Sequence, residues 1–299
     1  RNILMHYSVN GYNFNPTFST FPGGEEYVQL SKQQHPVSTD GKVTIFADLR
    51  SSRKVMQLLM LNDAIRRARP YATVSLSMDY LPYARQDKRD QQRGPIGARV
   101  MADMLEVMGA TQIITFDLHA DQIQGFFEKP VDHLYASTIF LPYLKSLQLD
   151  NLTIASPDMG GSKRAYAYSK ALSSDVVICY KQREKANVIS HMELIGDVKG
   201  KNVVLVDDMV DTAGTLTKAA DLMMERGALS VRAICTHPIM SGSAFERLEN
   251  SKLQELIVTD SIPIGQESPK LKVLTCATLF ADVMKSVHEN ESISSKFLM

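Results

Sequence analysis

Short apolar runs alternate with longer segments in which apolar residues recur every three or four positions. KVTIFAD (Lys42 to Asp48) is β-branched and ends on a carboxylate. Beyond it, Val55, Leu58, Leu59, Leu61 and Ile65 fall at near-helical spacing, and Arg66, Arg67, Arg69 and Pro70 mark a helix end. TVSLSM (Thr73 to Met78) predicts the next strand. Pro95 suits a first helical position, with Val100, Met104, Leu105 and Met108 on one face and Gly109 as the stop. QIITF (Gln112 to Phe116) predicts another strand, followed at once by Asp117, Leu118 and His119.

The second half repeats this grammar. LTIAS (Leu152 to Ser156) precedes Pro157 and Asp158, and Gly160-Gly161 opens a helix through Leu172. VVICY (Val176 to Tyr180) predicts a strand that ends before a loop carrying Lys181, Arg183 and Lys185. NVVLV (Asn202 to Val206) leads to Asp207 and Asp208, a helix covers Leu216 to Arg226, and SVRAICTH is a further strand. Near-continuous apolar strands alternating with helices predict an α/β protein whose parallel sheets are covered on both faces. Two such layers fit, an N-terminal domain over residues 1–136 and a C-terminal domain over 137–288, with the tail 289–299 packing on the first. Ligands of such sheets bind at the carboxyl ends of strands. Those ends here carry Asp117, His119, Asp158, Lys181, Asp207 and Asp208.

Composition narrows the class. The chain has 299 residues, 44% hydrophobic and 22% charged, which fits a globular core rather than disorder. Lys plus Arg and Asp plus Glu are each 33, so the formal charge is zero and no nucleic-acid partner is expected. No apolar stretch is long enough for a membrane helix. The opening RNILMHYSVNGYNFNP is too polar for a secretory signal. Three scattered cysteines, Cys179, Cys235 and Cys276, form no disulfide or zinc pattern and fit buried thiols in a reducing, cytoplasmic setting.

The most informative segment is VVLVDDMVDTAGT, Val203 to Thr215. Adjacent carboxylates cannot stay buried unpaired, so Asp207 and Asp208 are expected at the strand end, facing sugar hydroxyls or a metal ion. Asp211, Thr212, Ala213, Gly214 and Thr215 then form a turn into a helix. Its backbone N–H groups and hydroxyls suit a phosphate. An ordinary strand-turn-helix capped by Asp211 or Thr212 is the better explanation of an isolated DxxGT, whereas the full string after a four-residue apolar strand favours function. Neither GxxxxGK[ST] nor GxGxxG occurs, so P-loop and dinucleotide readings are unsupported.

This string resembles the phosphoribosyl-diphosphate motif of type I phosphoribosyltransferases. PYARQDKRD (Pro82 to Asp90), DLHADQIQGFF (Asp117 to Phe127), SPDMGGSKRA (Ser156 to Ala165) and KQREKANVI (Lys181 to Ile189) narrow the resemblance to class I ribose-phosphate diphosphokinases, the phosphoribosyl diphosphate synthetases. It extends from about Phe21 to Phe297.

The resemblance implies two phosphoribosyltransferase-like domains, the N-terminal one on the ATP side and the C-terminal one binding ribose 5-phosphate. It implies Mg²⁺-dependent transfer of the β,γ-diphosphoryl group of ATP to ribose 5-phosphate. Asp211, Thr212, Ala213, Gly214 and Thr215 match the ribose 5-phosphate loop, with Asp207 and Asp208 on the ribose side. His119 and Asp158 match Mg-ATP ligands, and Asp117 and Asp132 match nearby acidic positions. On chemistry alone His119 is an unexpected Mg²⁺ ligand, since that ion prefers oxygen. Lys181 and Arg183 match the catalytic-loop cations. Arg85, Gln86 and Asp90 match the ATP segment. Phe21, Gly23 and Glu25 match an adenine-holding segment that reaches a neighbouring subunit, so a homo-oligomer is implied, a hexamer or a smaller even assembly.

The sequence departs from the family near its start. NILMHYSVNGYNFNP leaves no room for the family's first helix, so the N-terminal region reads as shortened. SKQQHPVSTDGK replaces a stretch that carries a regulatory-site arginine, whereas ESISSKF (Glu291 to Phe297) resembles the family tail. Two other readings stay open, a non-catalytic regulatory paralogue and a type I phosphoribosyltransferase. The uninterrupted KQREKAN string counts against the first, and PYARQD with DLHADQIQGFF against the second.

Overall fold

The computed structural model describes residues 5–9, 12–14, 16–30, 40–185 and 188–294, with the backbone alone for 5–14, 40, 181–185 and 188–191. The chain divides into two compact units, Arg1–Leu134 with Ala281–Ser294, and Tyr135–Phe280. Each has its own apolar core.

The first unit contains β1 (Met5–Val9), β2 (Tyr12–Phe14), β3 (Thr17–Thr20), β4 (Glu26–Gln29), β5 (Asp40–Ala47), α1 (Ser52–Ala68), β6 (Tyr71–Met78), α2 (Gly97–Val107), β7 (Gln112–Phe116) and β8 (Val131–Leu134). Its sheet runs β2-β1-β5-β6-β7-β8. The four strands β5 to β8 are parallel, as the apolar runs predict. β1 and β2 join antiparallel, which the sequence reading did not anticipate. α1 begins where Ser51 Oγ accepts from Lys54 N–H at 3.3 Å and ends on Arg66 and Arg67. Val55, Leu58, Leu61 and Ile65 form its buried stripe. α2 starts two residues beyond Pro95.

The second unit contains α3 (Ser137–Ser146), β9 (Leu152–Ser156), α4 (Ser162–Leu172), β10 (Asp175–Lys185), β11 (Val188–Ile195), β12 (Asn202–Val210), α5 (Gly214–Glu225), β13 (Ser230–Pro238), α6 (Ala244–Asn250), β14 (Glu255–Thr259) and β15 (Leu271–Leu274). A last helix, α7 (Ala277–Glu289), runs from the second unit's residues into the first's. The sheet order is β11-β10-β9-β12-β13-β14-β15. β10 and β12 flank β9 on opposite sides, both parallel to it. The order therefore reverses at the carboxyl ends of β9 and β12, the crevice where open α/β sheets place ligands.

Two strands outrun their apolar cores. β12 continues through Asp207 and Asp208 to Val210 because its backbone keeps pairing with β13, Met209 opposite His237 and Val210 opposite Pro238. β10 continues past Tyr180 to Lys185, paired antiparallel with β11. The expected loop at Lys181 to Lys185 is thus a strand, since ladder bonds need no apolar side chain.

At the chain's end, Lys42 Nζ donates to the carbonyls of Val287 and His288, each at 3.0 Å, and to Asn290 Oδ1. These bonds hold the end of α7 onto the first unit. The segment 31–39 and the tail residues 295–299 lie outside the described residues. No helix among the described residues is long and apolar enough to cross a membrane.

Candidate functional site

In the first unit, the segment after β6 is anchored by buried Leu81, Pro82 and Ala84 and then exposes Arg85, Gln86 and Asp90. Ala98 N–H donates to Gln86 O at 3.1 Å, fastening this segment to the start of α2. The Gln86 side chain lies flat on Gly97, where an added Cβ would stand 2.5 Å from Oε1 and 3.1 Å from Cβ.

Phe21, Gly23 and Glu25 occupy the exposed tip of the β3–β4 hairpin. Phe21 O accepts from Gly24 N–H at 2.8 Å, and Gly24 supplies the positive φ (+89°) that the turn requires. Glu26 fixes the hairpin on α1 by accepting from Gln57 Nε2 at 2.7 Å and pairing with Arg53 at 2.7 Å.

His119 is exposed just past the carboxyl end of β7. The preceding turn is held tightly. Asp117 is buried at φ +35°, and its N–H donates to Leu134 O at 2.9 Å. Leu118 N–H donates to Nε2 of buried His133 at 2.8 Å. That assigns the ring proton to Nδ1, which faces Asp121 Oδ1 at 3.7 Å. Asp132 is the residue before His133. It lies near the start of β8 and accepts from Gln112 Nε2, at the start of β7, at 2.5 Å.

In the second unit three carboxylates gather at the reversal point. Ser156 Oγ donates to Asp158 O at 2.6 Å, and Asp158 Oδ1 accepts from Gly161 N–H at 3.1 Å. Asp158 thereby fixes the turn that leads into α4. From the first turn of that helix Arg164 reaches back, its Nη1 3.4 Å from Asp208 Oδ1. Asp208 N–H donates to Asp207 Oδ1 at 2.9 Å. Withdrawal from water pushes the Asp207 carboxyl well above its ordinary range, with Asp208 and Asp158 adding to the shift and Arg164 opposing it. Cys235 pairs with Asp207 across the ladder. Burial, with Asp207 and Asp208 beside it, pushes its thiol up as well.

Gly161 has no room for a side chain, since a Cβ would stand 2.7 Å from Ser156 Oγ and 3.7 Å from Val206 O. Gly161→Ala is expected to cost about 1–3 kcal/mol in urea unfolding, because the hydroxyl it displaces holds the Asp158 turn.

The turn from Asp211 to Thr215 opens α5. Ala213 adopts a left-handed conformation (φ +59°), and no side chain caps the helix. Neither Asp211 nor Thr212 is the N-cap that an ordinary turn would use. The turn is braced from behind by the segment after β13. Met240 N–H donates to Val210 O at 3.1 Å, Ser241 N–H to Asp211 O at 2.9 Å, and Ser241 Oγ to Asp211 Oδ1. Arg247 Nη1, from α6, donates to Thr212 O at 2.9 Å.

Lys181 and Arg183 belong to β10 by backbone, with Lys181 opposite Met192 and Arg183 opposite Ile189. Their side chains lie outside the described residues.

Among the described residues, no group of three or more His, Cys, Asp or Glu side chains is arranged to hold a metal by itself. Mg²⁺ commonly keeps several waters and takes one or two protein ligands plus phosphate oxygens. Asp158, at its strand end, offers an oxygen ligand of that kind, whereas His119, exposed past β7, offers a nitrogen.

Sequence reasoning assigned no role to His133, Arg164, Ser241 or Arg247. Arg164 lies within the quoted SPDMGGSKRA string, and His133 directly follows Asp132. Ser241 and Arg247 act across about 30 residues of chain, and no local pattern marks them.

Residues 6–109 match the N-terminal domain of ribose phosphate pyrophosphokinase, and residues 151–298 match the phosphoribosyl synthetase-associated domain. A ribose-phosphate pyrophosphokinase of Porphyromonas gingivalis is 52% identical over 83% of this chain and 79% of its own length. One from Wolinella succinogenes is 46% identical over 94% of this chain and 90% of its own. The crystal structure of a phosphoribosylpyrophosphate synthetase from Mycobacterium smegmatis superposes with a TM-score of 0.84 at 35% identity, covering 93% of this chain and 91% of that one. With two phosphoribosyltransferase-like α/β units and these relatives, the chain belongs to the ribose-phosphate pyrophosphokinase family and is an enzyme of phosphoribosyl diphosphate synthesis.

Proposed function

We propose that the enzyme transfers the β,γ-diphosphoryl group of ATP to the C1 hydroxyl of ribose 5-phosphate in a Mg²⁺-dependent reaction, releasing AMP. The observation that carries this reading is the uncapped, braced turn at Asp211–Thr215 directly beyond the Asp207–Asp208 pair. Backbone N–H groups at the start of α5 receive the 5-phosphate, and the two carboxylates accept from ribose hydroxyls. The C1 oxygen attacks the β-phosphorus, the bond from that phosphorus to the oxygen bridging the α-phosphate breaks, AMP leaves, and the hydroxyl proton passes to water. Lys181 and Arg183 stabilise the charge on the transferring group. Arg85, Gln86 and Asp90 bind the nucleotide, and Phe21, Gly23 and Glu25 hold adenine in a neighbouring copy of a homo-oligomer. His119 in the first unit and Asp158 in the second would each supply a ligand to Mg²⁺, which when bound would neutralise charge on the phosphates.

A coupled assay tests this directly. AMP release is expected only when ATP, ribose 5-phosphate and Mg²⁺ are all present. AMP formation without ribose 5-phosphate, or none with all three at saturation, rejects the reaction. The nucleotide assignment has its own test at Gly97. Gly97→Ala forces the Gln86 side chain to turn away and is expected to raise the KM for ATP roughly three- to tenfold, with the KM for ribose 5-phosphate unchanged.

A further inference from the structure

We propose that Arg247 is a positioning residue for the phosphate of ribose 5-phosphate, acting from behind the Asp211–Thr215 turn. The inference rests on the reaction proposed above and adds a residue to it. That turn must present its N–H groups in fixed directions, yet its conformation is not one the local sequence prefers. Ala213 carries a methyl group at φ +59°, a region L residues enter at a cost unless their surroundings hold them there. No side chain caps α5 from within the turn. What holds it comes from outside, in two layers.

Met240 and Ser241 pin the backbone of Val210 and Asp211 by main-chain bonds. Further along, only Arg247 among the described residues reaches the carbonyl of Thr212, the residue before the left-handed one. A guanidinium on a carbonyl is a charge-assisted bond and fixes the peptide plane between Thr212 and Ala213. That plane carries the Ala213 N–H, so the bond sets the direction of the donor at the left-handed residue. The same Nη1 stands 3.3 Å from where a Cβ on Gly214 would be, so the cation also backs the next peptide. Arg247 is exposed and extends from α6, whose Ala244 and Leu248 are buried, so the helix is anchored independently of this side chain. Removing the guanidinium therefore loosens the turn without emptying a core position.

The test compares Arg247→Met, which keeps the stem, with Arg247→Lys, which keeps a charge and a donor. Arg247→Met is expected to raise the KM for ribose 5-phosphate about tenfold, as for loss of one charge-assisted bond. kcat at saturation and the KM for ATP should stay within about twofold, because the turn acts equally in ground and transition states. Arg247→Lys should recover part of the loss. Calorimetric titration of ribose 5-phosphate without ATP should weaken in the same order, with the urea midpoints of both variants close to wild type. An unchanged KM for ribose 5-phosphate in Arg247→Met, or a fall in kcat at unchanged KM, overturns the assignment. Absence of AMP release from the wild type would instead reject the reaction itself.

Discussion

Lys181→Ala is expected to lower kcat by about a thousandfold while changing ribose 5-phosphate affinity less than about threefold. Diphosphoryl transfer offers no covalent chemistry to the protein, so its contribution is charge placed where the transition state gathers it. A cation that serves this purpose acts on the transferring group, not on the sugar held at the far end of the site. β10 carries Lys181 beyond its last apolar residue, and its pairing with β11 slips between Gln182 and Arg183 and again between Arg183 and Lys185. Initial rates at saturating substrates give kcat, and calorimetry gives affinity. Equal losses in both would show that Lys181 merely binds the sugar phosphate. Arg183→Lys should be milder than Arg183→Ala, since it keeps charge but loses the planar fork.

Asp207→Asn is expected to cut turnover by about a hundredfold or more and, at neutral pH, to raise the melting temperature by about 2–8 °C. Both effects have one cause. The Asp207 carboxyl is drawn from water next to Asp208 and within the field of Asp158, so the folded protein holds its proton more tightly than the unfolded chain does. A raised carboxyl pKa removes stability as pH climbs from the ordinary value of 3.8 through the raised one, and the cost is absent below that window. Asparagine keeps the shape and cannot ionise. Its stabilising effect should therefore vanish in melts at the acid end of the window and reach its full size above it. A lower melting temperature for the variant at pH 7 would show that the carboxylate is not repelled. The trade is the familiar one in which a site built for a ligand is destabilised without it.

Much of this architecture is legible in the sequence because apolar runs and helical spacing report burial, and burial fixes the parallel core. VVLV is buried throughout in β12, and Gly161 closes onto Ser156. What is not legible is whatever depends on backbone pairing or on distant side chains. β12 runs on through its aspartates because β13 lies alongside, and β1, β2 and β11 add antiparallel edges that no periodicity announces. Arg247 reaches Thr212, and His133 reaches Leu118, through the fold alone.

The placement of Cys235 bears on how the enzyme tolerates oxidants. Its sulfur sits beneath the acidic pair, fully enclosed, with its thiol pushed up by burial and by the two carboxylates. Peroxides and alkylating reagents attack thiolates, and here the negative charge meant for a sugar suppresses that anion. Cys179 and Cys276 are buried too. The acidic pair meant for a sugar thus also keeps the nearest sulfur in its protonated, slow-reacting form.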